Sequence, residues 1–156
     1  MRALPGPGPP LPTTVPAMAT RVLDVDPDRA FRLVATLGGH GRWIPLTHVA
    51  APPGPARTGD VVLARTAGVF VDRMQVLSAD PPRELVLRKL GPVLLGTSTI
   101  TVAPAPGGRS LVTWTYDAHL RGPLPASGVL NPALEAMAAL AMWRMARWVR
   151  RTRPAR

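Results

Sequence analysis

The sequence predicts an α+β fold in which a curved antiparallel sheet is covered on one face by a long C-terminal helix. Two observations predict this arrangement. Strand-like segments rich in Val and Thr follow one another across short turns rich in Gly or Pro, and short turns make neighbouring strands antiparallel. An amphipathic segment then ends the chain, and a sheet that is apolar on one face needs such a cover.

The chain opens with a proline-rich segment, residues 1–12, which predicts a disordered leader. We predict the first strand over Thr13–Val25, because the segment is rich in Thr and Val. A helix follows, with Asp26 as its N-cap and Pro27 as its first residue. Gly38-Gly39 is predicted to end this helix.

Five further strands are predicted after the loop 51–59: Asp60–Thr66, Val69–Ser78, Arg83–Leu90, Gly96–Ala103 and Ser110–Leu120. The final helix is predicted to begin at Asn131-Pro132 and to end near Thr152. Its apolar face recurs at helical spacing and consists of Leu134, Met137, Ala141, Met145 and Trp148. We therefore expect one domain over 13–152, followed by a basic tail, 153–156.

Composition excludes several classes of site. Cysteine is absent, which excludes disulfides, thiolate catalysis and cysteine-ligated metals. The three histidines, His40, His48 and His119, lack the spacing of metal ligands, so neither a metal nor a cofactor is predicted. We see neither a signal peptide nor a run of about 18 apolar residues. A cytoplasmic location is therefore expected.

The charge balance is basic, with 19 Lys and Arg against 9 Asp and Glu and a net charge of +10. Several arginines gather near the C-terminus: Arg144, Arg147, Arg150, Arg151, Arg153 and Arg156. A run of charge is usually a solvated helix face. Weak association with an anionic membrane surface is the alternative. Nucleic acid is not expected as a partner, because no stacking aromatic residues alternate with the arginines.

The turns also predict which residues face one another across the strands. A hairpin closed by Ala79–Pro82 places Asp72 opposite Lys89, and one closed by Ala67-Gly68 places Leu63 opposite Asp72. A shift of one residue would exchange the two faces of a strand, so the register decides which side chains are buried.

This register places Arg65, Asp72 and Lys89 in a face that is otherwise apolar. Because an isolated buried charge is costly, we expect Asp72 to be paired with the two cations. The cluster could serve only to orient the strands, or it could anchor a carbonyl, hydroxyl or carboxylate of a ligand. An acid–base role for Asp72 is a third interpretation.

The last hairpin is predicted to place Ile100 opposite Trp114 and Ser98 opposite Tyr116. Trp43, Trp114 and Tyr116 are the large aromatic residues best able to line a cavity, and Tyr116 also offers a hydroxyl group. Ordinary core packing is the alternative role for each of them.

Several short segments occur in a characteristic order: Val25–Phe31, Gly59–Thr66, Val71–Val76, Asp80–Arg83, Lys89–Gly91 and Gly107–Trp114. In this order they resemble the START/Bet v 1-like superfamily, also called SRPBCC, over roughly residues 13–150. That superfamily includes polyketide cyclases and lipid-transfer proteins. The resemblance implies a helix-grip fold with a hydrophobic cavity between sheet and helix, serving a carrier, a sensor or an enzyme for small apolar molecules.

The leading hypothesis is a protein that binds a small hydrophobic molecule, polyketide-, lipid- or isoprenoid-like, in this cavity. The predicted lining is Trp43, Leu63, Arg65, Asp72, Met74, Leu87, Lys89, Ile100, Trp114, Tyr116, Met137 and Ala141. One alternative is a cyclase or dehydratase with Asp72 as general base and Arg65 or Tyr116 as oxyanion stabiliser. The other is a peripheral membrane or nucleic-acid binder that uses the arginine-rich C-terminus. The oligomeric state stays open.

Overall fold

The computed structural model describes residues 15–122 and 127–152. Its elements are β1 (Ala17–Leu23), α1 (Pro27–Ala35), a 3-10 helix (Leu37–Arg42), β2 (Thr47–Ala50), β3 (Val61–Thr66), β4 (Phe70–Asp80), β5 (Glu84–Pro92), β6 (Leu94–Ala105), β7 (Arg109–Leu120) and α2 (Ser127–Arg151). The predicted leader (1–12), the first residues of the first predicted strand (13–14) and the basic tail (153–156) lie outside the described residues.

The seven strands form one antiparallel sheet in the order β1-β7-β6-β5-β4-β3-β2. The long helix α2 packs against β1 and β7 and covers the concave face. This architecture confirms the predicted α+β class and the helix-grip arrangement. The short strand β2, which pairs with β3, is the one element of the sheet that was not predicted.

Buried side chains recur along α2 with the spacing of one helical face: Leu134, Ala138, Ala141, Met142, Met145, Ala146 and Val149. Alanines on this face allow the helix to approach the sheet closely. Within residues 15–122 and 127–152, no helix is long and apolar enough to cross a bilayer.

The predicted start of α1 is confirmed, whereas the predicted start of α2 is wrong. The side chain of Asp26 accepts a hydrogen bond from the backbone N–H of Arg29 at 3.0 Å and caps α1. The helix α2 begins at Ser127, so Pro132 lies inside it. The side chain of Asn131 does not cap the helix: its Nδ2 donates to the carbonyl of Val15 at 3.0 Å.

The register of the last hairpin is confirmed, but that of β3 against β4 is wrong by one residue. The loop between β3 and β4 is longer by one residue than the predicted turn, because Thr66 pairs with Phe70. Asp72 therefore lies opposite Ala64 rather than Leu63.

The predicted pairing of Asp72 with Lys89 across β4 and β5 is also wrong. Two bulges interrupt this ladder, so Lys89 lies opposite Met74 and Asp72 lies opposite Pro92. The side chains of Asp72, Met74 and Lys89 nevertheless all reach the concave face. A bulge changes which residues are opposite one another without moving these three to the outer face.

His40 ties the 3-10 helix to α1. Its Nε2 lies 2.7 Å from the carbonyl oxygen of Val34, and its ring meets Trp114 edge-on with centroids 5.6 Å apart. Because a carbonyl oxygen only accepts, Nε2 carries the hydrogen and donates it. Burial lowers the pKa of His40 below its usual 6.5, and the hydrogen bond to Val34 opposes this effect less strongly. The buried imidazole is therefore neutral at pH 7.

Gly96 is expected to be among the least replaceable residues of the sheet. Its φ is +114°, and an added Cβ would collide with the carbonyl oxygen of Asp117 and lie 2.9 Å from Cα of Ala118. We expect Gly96→Ala to lower the free energy of unfolding by about 3 kcal/mol. Gly68→Ala is the control: φ is +74° there, but the space is open, so about 1 kcal/mol is expected. Urea denaturation measures both, and equal losses would contradict the steric argument.

Acidification is expected to destabilise the protein through His40. Unfolding restores the ordinary pKa of 6.5, so the unfolded chain takes up a proton that the folded chain does not. This contribution to stability is present above pH 6.5 and is lost as the pH falls below it toward the folded pKa. His40→Gln should therefore show a flatter stability profile between about pH 7.5 and about pH 5. Thermal melts measure the profile, with the exposed His119→Gln as control. Parallel profiles for wild type and His40→Gln would contradict the assignment.

Candidate functional site

A cavity of about 280 Å³ lies between the concave face of the sheet and α2. Its walls are largely apolar and come from most elements of the fold, including Leu37, Ile44, Val49, Val62, Leu87, Trp114, Leu134 and Met137. A smaller set of polar side chains reaches it: His40, Thr47, Thr66, Asp72, Lys89, Ser98 and Tyr116. Apolar walls with a few convergent polar groups are the usual form of a small-molecule site.

The polar cluster is centred on an ion pair between the partly buried Asp72 of β4 and the buried Lys89 of β5. Nζ of Lys89 donates to Oδ2 of Asp72. The same ammonium group lies 3.6 Å from Sδ of Met74 and 5.6 Å from the centroid of the Tyr116 ring. The side chain of Lys89 is only 5% exposed, so its charge depends on these neighbours rather than on water.

The second oxygen of the Asp72 carboxylate, Oδ1, is buried and has no hydrogen-bond partner within the described residues. Buried carboxylate oxygens normally accept at least one hydrogen bond. The carboxylate is thus satisfied on one side only, and Oδ1 remains able to accept a hydrogen bond.

Tyr116 and Trp114 form the wall beside the ion pair. Their rings stack with centroids 5.4 Å apart, and Nε1 of Trp114 donates to Oγ of Ser98 at 2.8 Å. Burial and the negative charge of Asp72 raise the pKa of Tyr116 well above 10, while the hydroxyl of Ser98 acts in the opposite direction. The phenol of Tyr116 therefore stays protonated and is available as a hydrogen-bond donor.

The cavity lining includes part of the set predicted from the sequence, namely Asp72, Met74, Leu87, Lys89, Trp114, Tyr116 and Met137. Ile100 and Ala141 are buried in the core and do not line it. Trp43 is also buried, but it packs edge-on against Trp148 with centroids 5.6 Å apart and lines a separate groove beside α1.

The predicted inward position of Leu63 and Arg65 is wrong. The one-residue shift of β3 turns both side chains to the outer face, where they are exposed. Val62 and Ala64 line the cavity in their place. Arg65 therefore does not take part in the ion pair, and Asp72 is neutralised by Lys89 alone among the described residues.

Several lining residues were not selected from the sequence. Ser98 was predicted opposite Tyr116, and this inward position was a signal that it belongs to the same face. His40 and Thr47 carried no comparable signal, because they lie in the 3-10 helix and in the unpredicted strand β2.

The arginines of α2 divide into two groups. Arg144 is half-buried, with Nη1 3.5 Å from the carbonyl oxygen of Trp43, and Arg147 lies over the Trp143 ring at 4.8 Å from its centroid. Arg150 and Arg151 are exposed. Arg144 is therefore engaged within the protein, whereas Arg147, Arg150 and Arg151 are exposed and agree with the predicted solvated face of the helix.

Comparison with solved structures finds this fold at low sequence identity. A protein from Thermobifida fusca is 14% identical, with a TM-score of 0.71 over 90% of this chain and 97% of the other. MLL2253 from Mesorhizobium loti is 16% identical, with a TM-score of 0.69 over 90% and 100%. DynU16, from the dynemicin biosynthetic locus, is 15% identical, with a TM-score of 0.66 over 90% of this chain and 49% of its own. These similarities establish the fold alone.

Comparison of the sequence with curated proteins finds no match. The family described as polyketide cyclase/dehydrase and lipid transport matches residues 16–150, which include every strand of the sheet and nearly all of α2. This match agrees with the resemblance that the order of short segments indicated. The chain therefore belongs to the polyketide cyclase/dehydrase and lipid transport family.

Proposed function

We propose that the protein binds a small, mainly apolar molecule in the cavity beneath α2 and holds one polar group of that molecule at the Asp72–Lys89 pair. The observation that carries this proposal is the cavity itself: about 280 Å³ of space with apolar walls and one ion pair. This volume is close to the lower end of the range for small-molecule sites, roughly 300 Å³ and above. A polyketide-, lipid- or isoprenoid-like molecule of modest size fits this chemistry.

The charge of the polar cluster indicates which polar group suits it. Asp72 and Lys89 neutralise each other, and Tyr116 stays protonated. A neutral hydroxyl or carbonyl can exchange hydrogen bonds with this cluster without leaving an unbalanced charge in an apolar cavity, whereas a carboxylate would add a second anion beside Asp72. We therefore place a hydroxyl or carbonyl group of the ligand at this position.

The family and one structural neighbour support a ligand of this kind. The family description covers both polyketide chemistry and lipid transport. DynU16 comes from a biosynthetic locus. Both are compatible with a hydrophobic ligand, and neither names the ligand of this chain.

Calorimetric titration with β-naphthol and with naphthalene tests the proposal, because the two probes differ by one hydroxyl group. We expect both to bind, and β-naphthol to bind about tenfold more tightly through hydrogen bonds to charged groups. The double variant Asp72→Asn/Lys89→Met should reduce this difference, because it removes both charged partners of the hydroxyl. Changing both residues together avoids leaving one buried charge without its partner.

A pair of tryptophan substitutions on α2 shows whether the probes enter the cavity. Met137→Trp fills the space and is expected to abolish binding of both probes, while Leu140→Trp, on the exposed side of the same helix, should leave it intact. Binding that survives Met137→Trp, or that shows no preference for β-naphthol, would contradict the proposed site.

Catalysis of an intramolecular aldol cyclisation is a second candidate function, favoured by the unpartnered Oδ1 of Asp72. Asp72 would remove a proton from the carbon next to a ligand carbonyl, while the Tyr116 hydroxyl hydrogen-bonds to that carbonyl oxygen. The carbanion would then form a carbon–carbon bond to a second carbonyl carbon, and the oxygen of that carbonyl would take the proton back from Asp72. Arg65, on the outer face, has no part in this scheme.

Incubation with acetonylacetone, a diketone that cyclises by this route, tests the second function. The wild type should form the cyclic product faster than buffer does, and Asp72→Asn should be slower by roughly a hundredfold. Asp117→Asn, on the outer face, serves as control and should keep the wild-type rate. A wild-type rate equal to that of buffer, or full activity of Asp72→Asn, would exclude the catalytic role of Asp72.

A further inference from the structure

Two loops beside the cavity expose large apolar side chains to solvent. Leu46, Val69 and Phe70 are 81%, 74% and 60% exposed, and we call these three residues the apolar rim. Phe70 also lines the cavity, so the cavity opens to solvent beside the rim. Single exposed apolar residues are common, but a group of them at the opening of a cavity is typical of a surface that binds a ligand, a protein or a membrane.

One rim residue, Leu46, and one residue of the neighbouring loop have an unfavourable backbone conformation. Leu46 has φ +54° and Ala67 has φ +51°, both in the left-handed region that residues other than glycine and asparagine rarely adopt. The N–H of Ala67 donates to the carbonyl of Leu46 at 2.8 Å, so the two loops support each other. The strained backbone keeps the side chain of Leu46 in solvent, where it does not contribute to the core. Strain of this kind points to a role for Leu46 other than core packing.

Two arginines lie close to the rim on β3 and β4, and a third follows β7 at the same end of the sheet. His48 and Arg65 are cross-strand partners and share a shallow depression with Leu46. Arg73 and Arg121 are exposed, Arg73 on the neighbouring strand β4 and Arg121 just after β7. None of these three arginines has a carboxylate within 4.0 Å in residues 15–122 and 127–152. Their charges are therefore free to act on an external partner.

We propose that the apolar rim inserts into the interfacial region of an anionic lipid bilayer, with the nearby arginines against the headgroups and the cavity opening toward the membrane. Exposed apolar side chains with cations close by are the combination that interfacial binding requires. A second copy of the chain is a poorer occupant, because a two-fold contact would bring the arginines of both copies together. The proposal does not depend on what the cavity binds.

Cosedimentation of the full chain with vesicles tests the proposal. We expect binding to vesicles of phosphatidylglycerol and phosphatidylcholine and little binding to phosphatidylcholine alone. The variant Leu46→Asn/Val69→Asn should lower the partition coefficient roughly tenfold. Asparagine tolerates the left-handed conformation at position 46, so the fold is expected to survive the change. Phe70 is left unaltered because it also lines the cavity.

The matched control is the variant Val22→Asn/Leu111→Asn. These two partly exposed apolar residues pair across β1 and β7 near the start of β7, whereas Arg121 follows its end. This variant should bind vesicles like the wild type. A second comparison concerns charge: Arg65→Ala/Arg73→Ala should weaken binding, while Arg150→Ala/Arg151→Ala on α2 should not. Three results would overturn the proposal. They are full binding by the rim variant, loss of binding only with the α2 arginines, and a wild-type dimer in light scattering that the rim variant converts to a monomer.

Discussion

The ion pair between Asp72 and Lys89 is the interaction on which the character of the cavity depends. Each charge lies in a largely apolar lining, and each is tolerable there only because the other is within hydrogen-bond reach. The pair also acts on its surroundings. The negative charge of Asp72 contributes to the raised pKa of Tyr116, so the phenol beside the pair remains a donor. One contact thereby gives the apolar space a polar end without net charge.

The same ion pair shows how far sequence reasoning can reach. The alternation of β4 and β5 placed Asp72 and Lys89 on one face, and this held even though the residue-by-residue pairing was wrong. Bulges shift partners along a strand, but an alternation that resumes after each bulge keeps long side chains within reach of each other. The face of a strand was therefore more predictable than its register here.

Strand β3 shows the opposite case. The loop before β4 has one residue more than predicted, which shifts the pairing of β3 with β4 by one residue. Because side chains alternate along a strand, this shift exchanges the inward-facing and the outward-facing residues of β3. The two faces of β3 carry similar apolar content, Val61 and Leu63 on one and Val62 and Ala64 on the other, so hydrophobic pattern alone could not correct the error. The register of the last hairpin was predicted correctly, because large residues on one face of β7 alternate with threonines on the other.

Some lining residues could not be predicted, because they come from short elements without a readable period. Leu37 and His40 belong to a 3-10 helix of six residues, and Val49 belongs to a strand of four. Such short elements take their orientation from tertiary contacts, such as the hydrogen bond from His40 to Val34, rather than from local pattern. The prediction for Trp43 fails for a different reason. This aromatic residue was expected to line the cavity, but it packs against Trp148 instead.

Binding requires less of this site than catalysis does. A ligand hydroxyl or carbonyl can join the Asp72–Lys89 pair while the pair stays intact, so the ion pair and the ligand stabilise each other. A general base must instead accept a proton, and a protonated Asp72 would leave the ammonium group of Lys89 buried without its counter-ion. The unpartnered Oδ1 eases this cost only if the ligand itself supplies compensating polar contacts. The physical balance therefore favours the proposed binding role over the proposed catalytic one.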